Sequence, residues 1–233
     1  MRISEFDLPP LDEGVYDESI FKAVFMAGSP GSGKSTVARQ LFGHTALRTV
    51  DVDKFHEMFL RLGRVAPGED IPRQPLRDLA GKQMRNYLEG RLGLMIDGTA
   101  RYLDAIAQTR DELASLGYEM AMVFVNTDLE TSLERARKRG ERTGRVIPPQ
   151  DITEYWYKVQ GNLGHLQSMF GRRFYLVDNS GAKPNLSYAQ PALARWLRQP
   201  PHDPRARKWI QDQMQLRRRD TVPPSVEPQM AGQ

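Results

Sequence analysis

The chain has 233 residues, 33 Lys and Arg against 29 Asp and Glu, a formal net charge of +4 and no cysteine, enough for one α/β domain with a small appendage. The missing cysteines exclude a disulfide framework and thiolate metal sites, and suit a reducing, cytoplasmic compartment. No apolar run approaches the roughly 20 residues that cross a bilayer, and residues 1–10 hold no secretory apolar core, so no membrane partner is expected.

In chain order, residues 1–19 read as an irregular acidic lead-in, with one Arg against six Asp and Glu and with Pro9, Pro10 and Gly14 opposing a helix. The apolar run 21–27 predicts a buried strand. It leads into Gly28, Ser29, Pro30, Gly31, Ser32, Gly33, Lys34, Ser35 and Thr36, which satisfy the pattern G-x-x-x-x-G-K-[S/T] at every fixed position. Residues 36–42 follow as a helix with Val37, Ala38 and Leu41 on one face. Strand, loop and helix in this order form a phosphate cradle: glycines let the main chain approach the anion, and successive N–H groups and the helix N-terminus face it. In such a cradle Lys34 reaches the terminal phosphates of ATP and the Ser35 hydroxyl holds Mg²⁺.

Residues 47–53 alternate apolar and polar, as a strand ending in the carboxylates Asp51 and Asp53 would, and a short helix is expected over 55–62. The Gly- and Pro-rich stretch 63–75 predicts a surface loop, and 76–89 a helix whose apolar side is Leu76, Leu79, Ala80, Met84, Tyr87 and Leu88. Residues 92–99 form a buried strand that breaks into a turn; a helix over 103–116 is stopped by Gly117, and 118–125 is a further strand. Thr127 and Glu130 make a capping box for a helix from 128 to about 139, and 140–149 is a basic, mobile loop. Asp151 with Glu154 signals a helix running to about 169, weakened by Gly161 and Gly164. Residues 173–178 are the last strand, 188–197 and 204–216 are helices, and 223–233 is a disordered end.

Five strands alternating with helices imply an α/β fold with a five-stranded parallel sheet covered on both faces. The expected organisation is a lead-in over 1–19, a main domain over 20–182 with a lid at about 135–150, a basic helical extension over 183–219 and a disordered tail over 220–233. Ligands of such sheets sit at the carboxyl ends of the strands, where the phosphate loop, Asp51 with Asp53, and Asp97 with Thr99 all fall. Phosphoryl transfer needs positioning and charge neutralisation, and a carboxylate beside the receiving hydroxyl. Asp53, just past the second strand, is placed to orient that hydroxyl and take its proton. Asp51, two residues earlier and so on the same strand face, would assist through Mg²⁺ or a water. Asp97 ends an apolar strand and needs a partner there, a Mg²⁺-bound water or the Ser35 hydroxyl. Thr99 and Arg101 then project towards the acceptor, although Thr99 would equally serve as a helix cap.

Arg135, Arg139 and Arg142 recur at i, i+4 and i+7, one face of a helix. Guanidinium forks match phosphate oxygens and keep their charge, so these arginines read as a lid closing on ATP, with Arg142 towards the acceptor; the plain alternative is a solvated basic face. Residues 195–219 carry eight Arg and Lys against two Asp, with Trp196 and Trp209 among them. Charge and aromatics together suit a nucleic-acid backbone and unstacked bases, and the alternative is again a solvated helix.

Residues 28–36, 50–55, 96–101 and 133–140 together resemble the P-loop kinases of the zeta-toxin and polynucleotide-kinase group, over about residues 21–180. The resemblance implies a P-loop NTPase fold, ATP with Mg²⁺, Asp53 as catalytic base, the 97–101 turn on acceptor or metal, and Arg135 and Arg139 acting from a lid. Within the group, 124–127 with 163–178 is most similar to phage-encoded kinases, some of which phosphorylate 5-hydroxymethyluridine in DNA during base hypermodification. That implies a hydroxymethyl pyrimidine in DNA as favoured acceptor, with a nucleotide sugar, nucleoside or nucleotide as the alternative. One position departs from the polynucleotide-kinase pattern: His56 stands three residues after the base, where that pattern has Arg, which argues against an acceptor held through a 3′-phosphate. A reading from another class is an ATP-dependent DNA-binding module; no Asn-Lys-x-Asp element for guanine is present.

Overall fold

The computed structural model describes residues 11–62, 73–143 and 146–220. Five strands, β1 (Lys22–Ala27), β2 (Arg48–Val50), β3 (Leu94–Asp97), β4 (Glu119–Asn126) and β5 (Phe174–Asp178), form one parallel sheet in the order β2-β3-β1-β4-β5. The helices are α1 (Lys34–Phe42), α2 (Val52–Arg61), α3 (Arg73–Glu89), α4 (Leu103–Ser115), α5 (Leu129–Thr143), α6 (Pro149–Gly161), α7 (Leu163–Phe170), α8 (Ala189–Leu197) and α9 (Pro204–Asp220).

Strand side chains alternate between two cores, as the two-residue period requires. Ala23 and Phe25 of β1 and Met122 and Phe124 of β4 face one core, joined by Ala80, Leu113, Val159, Leu166 and Ala206 from α3, α4, α6, α7 and α9. Val24, Met26, Ala121, Val123 and Val125 face the other, covered by Val37 and Leu41 of α1 and by Leu193 and Trp196 of α8. Both faces of the sheet are therefore covered, as expected. The chain leaves β1 towards β2 and β3 and later crosses to β4 on its other side, so the crevice at the carboxyl end of β1 is the switch point where such sheets take ligands.

Several local expectations are corrected. The second strand ends at Val50, not Asp53, because the Asp51 carboxylate accepts the Asp53 N–H at 2.8 Å and so caps α2. Asp53 is thus in the first turn of a helix, and the shared strand face assumed for Asp51 and Asp53 does not exist. At α5 the cap is Asp128, whose carboxylate accepts the Thr131 N–H at 2.7 Å; Thr127 instead turns its hydroxyl to the Asn179 carbonyl. The α5 helix runs on to Thr143, through part of the expected loop. The single helix expected to 169 is two, α6 and α7, with Pro148 rather than Asp151 before the first and the break at Asn162. Thr99 does not cap α4, which begins after Tyr102 without a side-chain cap. Residues 11–16 of the lead-in form a 3₁₀ turn; 1–10, 63–72, 144–145 and 221–233 lie outside the described residues.

The two basic helices near the carboxyl end pack into the cores. Trp196 is 5% exposed and donates its indole N–H to Glu119, and Trp209 sits edge-on against Phe21. The Trp196 ring is therefore not available to stack on a base, which corrects that part of the nucleic-acid reading, while Trp209 is half-buried. Their anchor is a buried ion pair: Lys22, 0% exposed, meets Glu119 at 2.6 Å where β1 and β4 begin in register. The other Glu119 oxygen accepts the main-chain N–H of His202 at 2.7 Å, tying down the α8–α9 connection. Burial opposes ionisation of Glu119, but the Lys22 and His202 hydrogen bonds outweigh it and hold the carboxyl at about 2.

Candidate active site

The glycine pattern forms the expected loop between β1 and α1. Gly31 has a φ of 83°, and a Cβ there would run into the main-chain carbonyl of Ser132, so glycine is required for the loop to lie against α5. Ser132 braces the contact from the other side: its hydroxyl donates to the Pro30 carbonyl at 3.0 Å and accepts from Ser29 at 2.9 Å. Asn179, just past β5, donates its side-chain amide to the Ser32 carbonyl at 2.7 Å. Two elements remote in sequence thus set the loop's shape.

A cleft of about 330 Å³ opens over this loop. Its walls bring together Pro30, Gly31, Gly33, Lys34, Ser35 and Thr36 of the loop, Asp51, Asp53 and Asp97 from the ends of β2, α2 and β3, Thr99 and Arg101 from the following turn, and Arg135, Arg139 and Arg142 from α5. Gly28, Ser29 and Ser32 do not line it; they lie beneath, where Gly28 and Ser29 offer their carbonyls to the Lys34 ammonium at 2.8 and 3.3 Å. The three arginines fall on one face of α5, as their spacing predicts. Arg135 is held by the Asn179 and Gly181 carbonyls at 2.8 and 3.3 Å, which places it at the β5 side of the cleft, beside Gly33.

Charge on the cleft floor is arranged around Lys34. Burial lowers the affinity of its ammonium for the proton, opposed by Asp97, Asp53 and Asp51 nearby. Burial and the neighbouring Asp97 push the Asp51 carboxyl up to about 6. Asp97 is raised chiefly by burial, against the pull of Lys34, and its Oδ1 is shut off from solvent with no hydrogen-bond partner among the described residues. Two carboxyls held above their ordinary range, Asp51 and Asp97, with Asp53 close by and one lysine among them, call for a further cation. No group of three or more His, Asp or Glu among the described residues could cage a metal alone. This fits Mg²⁺, which keeps waters and phosphate oxygens and takes only one or two carboxylates.

Sequence reasoning missed Arg39, Glu57, Ile147 and Tyr155 on the walls. Tyr155 lies face-on beneath the Arg101 guanidinium, 3.5 Å from its centre, while Arg101 Nε donates to Thr99 Oγ1 at 3.1 Å. Asn162, at the α6–α7 break, donates to the Ala100 and Arg101 carbonyls at 3.0 and 3.1 Å and so holds the turn in which Ala100 takes a φ of 59°. A polar residue at a helix break was the available signal; its target was not.

The family profile described as Zeta toxin matches residues 17–183. Human adenylate kinase isoenzyme 1 is 28% identical over 151 residues, 59% of this chain and 76% of that one. The PezT toxin of Streptococcus pneumoniae is 27% identical over 139 residues, 55% of this chain and 53% of PezT, so the likeness spans about half that protein's length. A putative kinase from Chloroflexus aurantiacus superposes with a TM-score of 0.56 at 14% identity, over 76% of this chain and 96% of that one, a likeness of fold. No helix among the described residues is long and apolar enough to cross a membrane.

Proposed function

The chain belongs to the zeta toxin family of P-loop phosphotransferases, and from that premise we propose that it moves the γ-phosphate of ATP onto a hydroxyl of a nucleotide-class acceptor, free or within DNA. The observation that carries this is the single cleft in which Lys34, three aspartates and the α5 arginines converge at the switch point of the sheet. Gly28–Thr36 would wrap the phosphates with main-chain N–H groups, and Lys34 would leave its carbonyl partners to meet the terminal phosphates. Bound Mg²⁺ would neutralise charge on the β- and γ-phosphates, held by Ser35 and Asp97 with Asp51 behind.

Asp53 is the base in this reading. It sits in the first turn of α2, two residues after the Asp51 cap, and opens onto both the phosphate loop and the β3–α4 turn, where an alcohol would lie beside Thr99 and Arg101. Arg139 and Arg142 steady charge on the transferring group, and Arg135, on the β5 side, grips the nucleotide.

The favoured acceptor is 5-hydroxymethyluridine in DNA, on the sequence resemblance given above. A nucleotide sugar is the second reading: the burial of Trp196 takes one ring away from any stacking surface for DNA. Incubation with γ-labelled ATP and a panel of hydroxymethylated DNA, unmodified DNA, nucleosides, nucleotides and nucleotide sugars separates these. Label should appear on one class only. ATP consumption with no labelled acceptor would overturn the kinase reading in favour of a nucleotide-dependent binding module.

A further inference from the structure

A second cleft, of about 170 Å³, meets the first at its floor and leaves it in another direction, between α2, α3 and the β3–α4 turn. The two share Lys34, Asp51, Asp53, Asp97, Thr99 and Arg101; Arg77, Gly98 and Tyr102 belong to the second alone. If ATP lies along the loop and α5 as proposed above, the second cleft is the path left for the acceptor.

Two guanidinium groups flank that path. Arg77, on the exposed side of α3, makes no hydrogen bond or ion pair with any described residue. Arg101 spends its Nε on Thr99 and its face on Tyr155, which fixes its plane, yet neither terminal nitrogen has a hydrogen-bond partner among the described residues. Two forks with unspent donors at the entrance to a passage floored by aspartates make poor sense for a neutral alcohol. They suit a molecule that presents its hydroxyl to Asp53 and an anionic group behind it. A Cβ on Gly98 would meet nothing within 4 Å, so the passage between the forks is open.

We propose that Arg77 is a specificity-determining residue that binds a phosphate of the acceptor, with Arg101 as its partner across the cleft. It supplies from α3 a guanidinium contact that α2, with His56 where the polynucleotide-kinase pattern has Arg, does not carry at that position. The proposal rests on the kinase reading for the acceptor's hydroxyl, but binding tests it without catalysis. The protein, preloaded with a non-hydrolysable ATP analogue and Mg²⁺ to fill the first cleft, is titrated with two pairs of probes. One pair is 5-hydroxymethyl-2′-deoxyuridine and its 5′-monophosphate; the other is glucose and UDP-glucose. The first pair differs in phosphate alone and the second in a whole uridine diphosphate, so in the second the part of the preference lost in Arg77→Ala reports the phosphate contact; the pairs distinguish a nucleic-acid source from a nucleotide-sugar source.

The phosphorylated member of at least one pair should bind more tightly by on the order of tenfold to a hundredfold. Arg77→Ala should remove most of that preference without altering affinity for the ATP analogue, and Arg77→Lys should restore part of it. A preference that survives in Arg77→Ala, or equal or absent binding within both pairs, overturns the proposal. If the preference behaves as expected but no acceptor is ever labelled, Arg77 stands as a phosphate contact and the kinase reading fails.

Discussion

Replacing Glu119 by Gln should destabilise the protein severely while leaving the cleft chemistry in place. Glu119 and Lys22 lie at the amino ends of β4 and β1, across the sheet's length from Lys34 and Asp53. The substitution leaves one oxygen where Glu119 has two, so it can serve the Trp196 indole or the His202 N–H but not both, and it removes the counter-charge from a lysine that is 0% exposed. Removing one partner of a buried ion pair costs about 3–5 kcal/mol. An upper bound comes from the lysine itself. It can escape by losing its proton, and from its ordinary value of 10.5 that costs roughly 5 kcal/mol at pH 7. For a chain of this size such a loss lowers Tm by on the order of 6–20 °C.

Urea denaturation of Glu119→Gln, Lys22→Met and the double variant measures the loss and the coupling. The double variant should recover about 2 kcal/mol or more over Glu119→Gln, because no buried charge is then left alone. The pH dependence has a definite sign. The Glu119 carboxyl is held at about 2, below its ordinary 4.5, so its contribution is complete above 4.5 and is lost as pH falls towards 2. The gap between wild type and Glu119→Gln should therefore close on acidification. A cost below about 1 kcal/mol, or a double variant no better than Glu119→Gln, would refute the reasoning.

The remaining expectations concern the site. Asp51→Asn keeps a capping oxygen for α2 and removes a carboxyl held at about 6 against an ordinary 3.8; since a raised value means stability is lost as pH climbs through it, the variant should melt higher than wild type at pH 8 without Mg²⁺, by about 1–3 kcal/mol, and no higher at pH 4. A pH-independent gain would contradict that origin. Asn162→Ala releases the turn that carries Thr99 and Arg101, and should raise KM for the acceptor by on the order of tenfold while leaving KM for ATP unchanged. A change confined to ATP would place Asn162 on the wrong side of the cleft.

The phosphate loop and the parallel sheet were legible because each is a local signal: a fixed glycine spacing, and apolar runs set between helices. Asp97 was legible for the opposite reason, as a carboxylate where an apolar strand should not have one. Strand endings were not. Alternation carried 47–53 through to Asp53, but a side chain capping the next helix stopped the strand three residues earlier. Ser132, Asn179 and Asn162 were invisible as site residues because each acts through a hydrogen bond to main chain far away in sequence, and nothing local marks the target. The Lys22–Glu119 pair left a readable trace, a charge at the head of each of two apolar strands, but pairing them needed the knowledge that β1 and β4 are neighbours in register. Trp196 misled for a related reason: charge and aromatics near one another read as a binding surface until packing shows that ring buried.

Asp53 is the residue on which the assignment of the cleft turns, and single-turnover transfer by Asp53→Asn, with ATP affinity measured on the same protein, addresses it directly. Transfer to the labelled acceptor should fall by on the order of 10²–10⁴-fold, with ATP affinity little changed, because the base acts on the hydroxyl and not on the phosphates. Transfer that persists at the wild-type rate, or that fails only because ATP no longer binds, would contradict the placing of acceptor and triphosphate on either side of this aspartate.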